Sequence, residues 1–193
     1  NGTYLVIRQL DQDTAAFAEF VKEAAERSKN LPGMPKHLTT AAEREEWIGA
    51  KMVGRWKDGT SLVRHPHKPG SGFAPQKPGP KYKHPPAYPD NDFLFGSEDP
   101  QGLRCPFGSH IRRANPRESF APGSKVQLAI TNRHRILRAG RGYSAEGSGI
   151  AGADNPGLLF MCFNSEIERQ FEFIQQTWAM AWQFHELENE GDP

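Results

Sequence analysis

The chain has 193 residues and a mass of 21.6 kDa, with 36% hydrophobic residues and a formal charge of +1. That length suits one domain, and the near-zero charge argues against a general nucleic-acid binder while leaving room for a local basic patch. No run of 18 apolar residues and no signal-type apolar segment occurs, so no membrane or targeting segment is expected.

Residues 4–10 (YLVIRQL) mix β-branched, aromatic and apolar side chains and predict a strand. Asp11 or Asp13 then caps a helix running to about Ser28, with Phe17, Phe20, Val21 and Ala24 on one face. A second helix over 41–52 carries Trp47 and Ile48 and closes near Gly54. Eight of the sixteen prolines fall between Pro66 and Pro89, a density that no regular element survives. Residues 56–104 are therefore read as an extended Pro/Gly-rich loop insert, with Arg55 and Trp56 at its mouth as its better candidates for contact.

Beyond the insert, 125–130 and 134–137 predict short strands, 140–155 a Gly-rich loop, and the apolar run 158–163 (LLFMCF) a buried strand. Ser165 with Glu168 makes a capping box, and Ile167, Phe171, Ile174, Trp178 and Trp182 line one side of a closing helix. The order implies an α+β fold, a ferredoxin-like antiparallel or mixed sheet with helices packed on one side, as a single domain over 1–193. Asn1 opens directly onto a strand-like run, so a fragment or processed product is expected. Cys105 and Cys162 lack CxxC spacing, and two reduced thiols in a cytoplasmic protein are the plain expectation.

Chemistry concentrates at 105–117, CPFGSHIRRANPR, where His110 stands among Arg104, Arg112, Arg113 and Arg117. Pro106 and Pro116 stiffen the loop on both sides of it. An imidazole ringed by fixed positive charge suits an anionic metallo-cofactor, and equally a phosphate-bearing ligand; a histidine bonded only within its own loop has the same signature. Haem would take His110 as an iron ligand and arginines on its carboxylates. Glu166 is the candidate carboxylate for the far imidazole nitrogen, and also reads as a first-turn helix glutamate. Arg138 precedes Ala-Gly-Arg-Gly-Tyr, where glycine lets a flat ligand approach; a permanently charged guanidinium there can stabilise charge on a peroxide oxygen. Arg133 and Arg135 lie near it. Trp56, Tyr143, Trp178 and Trp182 can relay electrons, but Trp178 and Trp182 read first as core aromatics.

CPFGSHIRRANPR, HRILRAGRGY and GLLFMCFNSEIERQFEFIQQTWA resemble the C-terminal half of the dye-decolourising haem peroxidases, and NGTYLVIRQL, GRWKDGTSL and NDFLFGSEDPQGLRCPFGSH resemble further segments of that family. The resemblance implies haem b (iron protoporphyrin IX), with His110 as proximal ligand, Arg138 over the opposite face, and Glu166 where the family usually has an aspartate bonded to the proximal histidine. It places Arg117 and Arg112 near the haem propionates, with Phe163 among the cofactor contacts. The substrates it implies are hydrogen peroxide and an organic electron donor such as a dye or phenol. The family's GxxDG motif, whose aspartate handles the peroxide proton, is absent, and Lys57-Asp58-Gly59 does not take its place. The implied partner is therefore an N-terminal domain in trans or a second copy. A non-catalytic haem-binding module is the alternative function; a phosphate or nucleic-acid binder using 104–138 is a third, weakened by the near-neutral charge.

Overall fold

The structure, a computed structural model, describes residues 2–70, 91–143, 156–185 and 187–189. The middle of the proline-rich stretch and the GSG end of the Gly-rich loop lie outside these residues. In chain order the elements are β1 (Tyr4–Asp11), α1 (Thr14–Ser28), α2 (Ala41–Val53), α3 (Phe95–Glu98), α4 (His110–Ala114), α5 (Lys125–Asn132), β2 (Leu137–Tyr143), β3 (Gly157–Asn164), α6 (Glu168–Glu172) and α7 (Ile174–Ala179). The three strands form one antiparallel sheet in the order β1-β3-β2. The architecture is α+β, a small antiparallel sheet with packed helices, and the apolar run of β3 takes the central position.

The first two helices begin and end where local chemistry dictates. Asp13 caps α1 by accepting from Ala16 N–H at 2.8 Å. Thr40 and Glu43 form a reciprocal capping box on α2, and Gly54, at φ 91°, closes it in the left-handed conformation. A Cβ on Gly54 would lie 2.3 Å from Ile111 Cγ1, so α2 ends where α4 passes over it. Several segments depart from expectation, and the strand expected over 134–137 runs instead over Leu137–Tyr143, taking in the start of the stretch read as a Gly-rich loop. Residues 125–132 are a helix rather than a strand, capped by Ser124, whose side chain accepts from Gln127 N–H at 3.1 Å. The closing helix is wound wide, with i→i−5 bonds such as Glu172 N–H to Ile167 O at 3.1 Å and Met180 N–H to Gln175 O at 2.9 Å. It stops at Ala179, which removes Trp182 from the apolar face; that ring is 71% exposed, whereas Trp178 is buried.

The main core gathers Ala50, Trp56, Leu62, Val63, Phe93, Phe95 and Cys105, with Trp47 and Ile111 against it. Five of these seven buried residues come from the flanks of the stretch 56–104, read from sequence as an insert. The flanks fold inward because they carry the large apolar side chains. Trp56 is part of this core, its indole N–H donating to His65 O at 2.7 Å, rather than a contact residue at a loop mouth. Asp58 serves its own turn, accepting from Thr60 N–H and Oγ1 at 2.9 and 2.7 Å. The single helix-flanked core is what positions the loop carrying His110.

Candidate functional site

His110 is the first residue of α4 and is exposed, while almost everything beneath it is buried. The pedestal is built on Asp99. Its carboxylate accepts from Arg104 N–H at 3.1 Å, Cys105 N–H at 2.8 Å and Arg112 Nη1 at 3.2 Å. Arg112 also donates to Cys105 O at 2.8 Å and Asp99 O at 3.1 Å. Its guanidinium lies between the rings of Phe95 and Phe107, 4.6 and 4.3 Å from their centroids. Cys105 Sγ sits 3.0 Å from Ser109 Oγ, and Arg113 reaches Ala181 O at 2.6 Å. Burial pushes the Cys105 thiol up to about 11, which keeps it neutral and unreactive; both cysteines are free and buried.

Arg112, expected near the cofactor carboxylates, is 1% exposed, and its two terminal nitrogens donate inside the loop to Asp99 and Cys105, so its side chain braces the loop that carries His110. Desolvation is the main influence lowering its proton affinity, and Asp99 is the first that opposes it.

Arg117 is placed differently. It has φ 54° and is partly buried, donating to Phe93 O at 2.6 Å and Asn91 O at 3.1 Å, with its guanidinium 3.9 Å from the Phe93 centroid. Arg55 approaches the same ring at 5.7 Å and donates to Asn91 Oδ1 at 3.0 Å. Burial first, then the repulsion of Arg55 and Arg135, brings the Arg117 guanidinium down to about 10. Arg55 and Arg135 thus lie near enough to Arg117 for their charges to be felt there. Such a region attracts anions.

Arg138 lies on β2, exposed, directly across from Cys162 and Val6. Cross-strand partners share a face, so Arg138 stands with Cys162, Phe160, Leu158, Gly140 and Gly142. On that face α6 contributes Phe171, 6.2 Å from Phe160 and 5.6 Å from the Arg8 guanidinium. Phe163 pairs with Leu137 and Leu5 and therefore occupies the opposite face. Tyr143 confirms the parity, crossing Gly157 to reach Asp11 Oδ1 at 2.8 Å. Phe163 and Arg138 therefore stand on opposite faces of the sheet. Leu158 and Phe160, which the sequence reading did not single out, share the Arg138 face; alternation finds them once the register is known.

Glu166, expected behind the proximal imidazole, is exposed and engaged by a basic neighbour. It pairs with Arg169 at 3.2 Å, both side chains 56% exposed, an i,i+3 pair on the first turn of the closing helix. The helix start has a different cap from the Ser165–Glu168 box: the Gln170 side-chain oxygen accepts from Ser165 N–H at 2.7 Å and Glu166 N–H at 3.1 Å. Among the described residues no three His, Cys, Asp or Glu side chains gather to hold a metal ion.

No family model matches the chain. It is 34% identical over 186 residues to the multifunctional dye peroxidase DyP2 of Amycolatopsis sp., covering 92% of this chain and 34% of that protein. To a dye-decolorizing peroxidase of Mycena epipterygia it is 31% identical over 192 residues, covering 92% of this chain and 32% of the other. Among solved structures, the DyP-type peroxidase of Anabaena sp. superposes with a TM-score of 0.70 at 31% identity, over 100% of this chain and 35% of that one. The chain spans about a third of the length of these proteins. By sequence and by fold it is a relative of the dye-decolorizing peroxidases, corresponding to one portion of them.

Proposed function

We propose that this chain is the haem-binding part of a peroxidase that reduces hydrogen peroxide and oxidises organic donors such as dyes and phenols. The observation that carries the reading is an exposed imidazole on a braced loop, beside a surplus of arginine charge, in a chain related to such enzymes. The residues present fit haem b: His110 offers one metal ligand, Arg117 with Arg55 and Arg135 offers charge for two carboxylates, and the Arg138 face offers Leu158, Phe160 and two glycines as a flat apolar floor. Within the ferredoxin-like domain proposed for 1–193, these groups come from α4 and the turn after it, from the segments that follow α2 and α5, and from the sheet.

The cofactor would supply the redox-active iron at which the peroxide O–O bond breaks. The chain's own residues do the rest. His110 must present an unprotonated ring nitrogen to the metal, and the Asp99–Arg112 pair beneath it keeps the loop from turning away. The Arg138 guanidinium would stabilise negative charge on the leaving oxygen. Proton transfer needs an acid–base group, and the GxxDG aspartate is not in this sequence. We assign that step to a partner polypeptide or to water, and loss of such a group costs about 10²–10⁴-fold. Localisation in the cytoplasm accords with two unpaired cysteines.

The missing motif favours one second reading, a haem-binding module without turnover. Spectrophotometric titration with hemin, followed by peroxide and a dye, separates the two. A one-to-one Soret band that is lost in His110→Ala, with dye oxidation above free hemin, supports the peroxidase. The same band without dye oxidation supports the module, and a band indifferent to His110 rules out both.

A further inference from the structure

We propose that Glu118 is a positioning residue for the arginine pocket, fixing the turn that carries Arg117 and setting how strongly the pocket attracts the cofactor's carboxylates. This rests on the reading that Arg117 meets those carboxylates. Glu118 is 1% exposed and immediately follows Arg117, whose backbone is left-handed at φ 54°. Its Oε1 accepts from Gly96 N–H at 2.6 Å and Ser97 N–H at 3.3 Å, which ties the turn to α3. The fit leaves no room for a side chain: a Cβ on Gly96 would lie 2.6 Å from Pro122 Cα and 3.1 Å from Glu118 Oε1. Phe95 of α3 and Phe93 just before it are the rings against which Arg112 and Arg117 rest. Thr131 Oγ1 donates to Arg117 O at 2.6 Å and closes the turn from the other side.

The second carboxylate oxygen, Oε2, is buried with no hydrogen-bond partner among the described residues. A buried carboxylate with an idle oxygen is costly unless nearby cations offset it. Here the offset comes from Arg117 and Arg112, both of which feel the Glu118 charge. The hydrogen bonds to Gly96 and Ser97 need only an acceptor, which an amide also provides. The negative charge has another consequence: it cancels part of the field of Arg55, Arg117 and Arg135. Glu118 therefore holds the pocket together at the expense of some attraction for an anionic ligand.

The test is titration of the whole chain with hemin and with hemin dimethyl ester, whose carboxylates are blocked. Wild type is expected to prefer hemin. Glu118→Gln keeps an acceptor for Gly96 and removes the charge; it should raise that preference about three- to tenfold, with affinity for the diester unchanged. Glu118→Met removes the charge without leaving an unpaired amide, and should shift the ratio in the same direction if the Gln variant fails to fold. A wild-type preference that neither variant moves, or equal changes for both ligands, overturns the role of Glu118. Equal affinity of wild type for the two ligands overturns the reading of the pocket, and the role of Glu118 with it.

Discussion

At the scale of single residues, the arginines differ in what their charge is used for. Arg112 and Arg117 are five positions apart in one motif, yet the first is wholly internal and the second faces a region of surplus charge. The difference comes from Asp99, which lies outside the motif and takes Arg112 for itself. Removing it leaves a buried guanidinium uncompensated and releases two loop amides. Asp99→Ala should cost about 3–5 kcal/mol in chemical denaturation and weaken hemin binding with it. Cys105 offers a pH-dependent check on the same loop. Its thiol is raised from 9.0 to about 11 by burial, so the unfolded chain loses this proton first as pH rises. Stability tied to the neutral thiol is complete below pH 9 and is lost between 9 and 11. Urea denaturation should therefore show a loss of about 1 kcal/mol from pH 8 to pH 10 that Cys105→Ala abolishes. Chemistry in the sequence marks His110 and Arg138, and the family resemblance adds Arg117 and Arg112. That Arg112 is buried depends on a carboxylate six residues before Cys105, which the motif itself does not display.

At the scale of elements, what was legible is what local signals encode. The cap Asp13, the closing Gly54 and the apolar run of β3 all read directly from short windows. The residues of α5 did not, since KVQLAITN has β-branched residues in a window too short to show a period, and only its Ser124 cap marks a helix. The faces of the sheet were illegible for a stricter reason. A run such as LLFMCF has no polar alternation, so whether Phe160 or Phe163 accompanies Arg138 is decided by register with β2, a tertiary quantity. The contact between α2 and α4 gives a prediction at this scale. Gly54→Ala places a Cβ 2.3 Å from Ile111 Cγ1 at a left-handed φ of 91°, so either the helix end or α4 must shift. A loss of about 2–4 kcal/mol is expected, with hemin affinity falling more than in Gly33→Ala, where a Cβ meets nothing within 4 Å.

At the scale of the whole molecule, the two faces of the sheet differ in what packs on them among the described residues. The face shared by Arg138 and Phe160 receives Phe171 from α6. The other carries the row Leu5–Phe163–Leu137, exposed by 50, 49 and 73%, and beside it Ile7, Met161 and Ala139, with Ile7 at 55%. Apolar side chains in adjoining rows of three strands make a patch of the kind that marks an interaction surface. Such a face would suit another apolar polypeptide surface. Another copy offers the same apolar chemistry. The chain alone is therefore expected to sediment above its monomer mass of 21.6 kDa at micromolar concentration. Ile7→Lys with Leu137→Glu adds charges of opposite sign to the two edge strands on that face, leaving His110, Arg117 and Arg138 untouched. The double variant should sediment as a monomer and bind hemin as wild type does. Persistent association in the variant would move the interface elsewhere, and a monomeric wild type would show that the patch tolerates water without a partner.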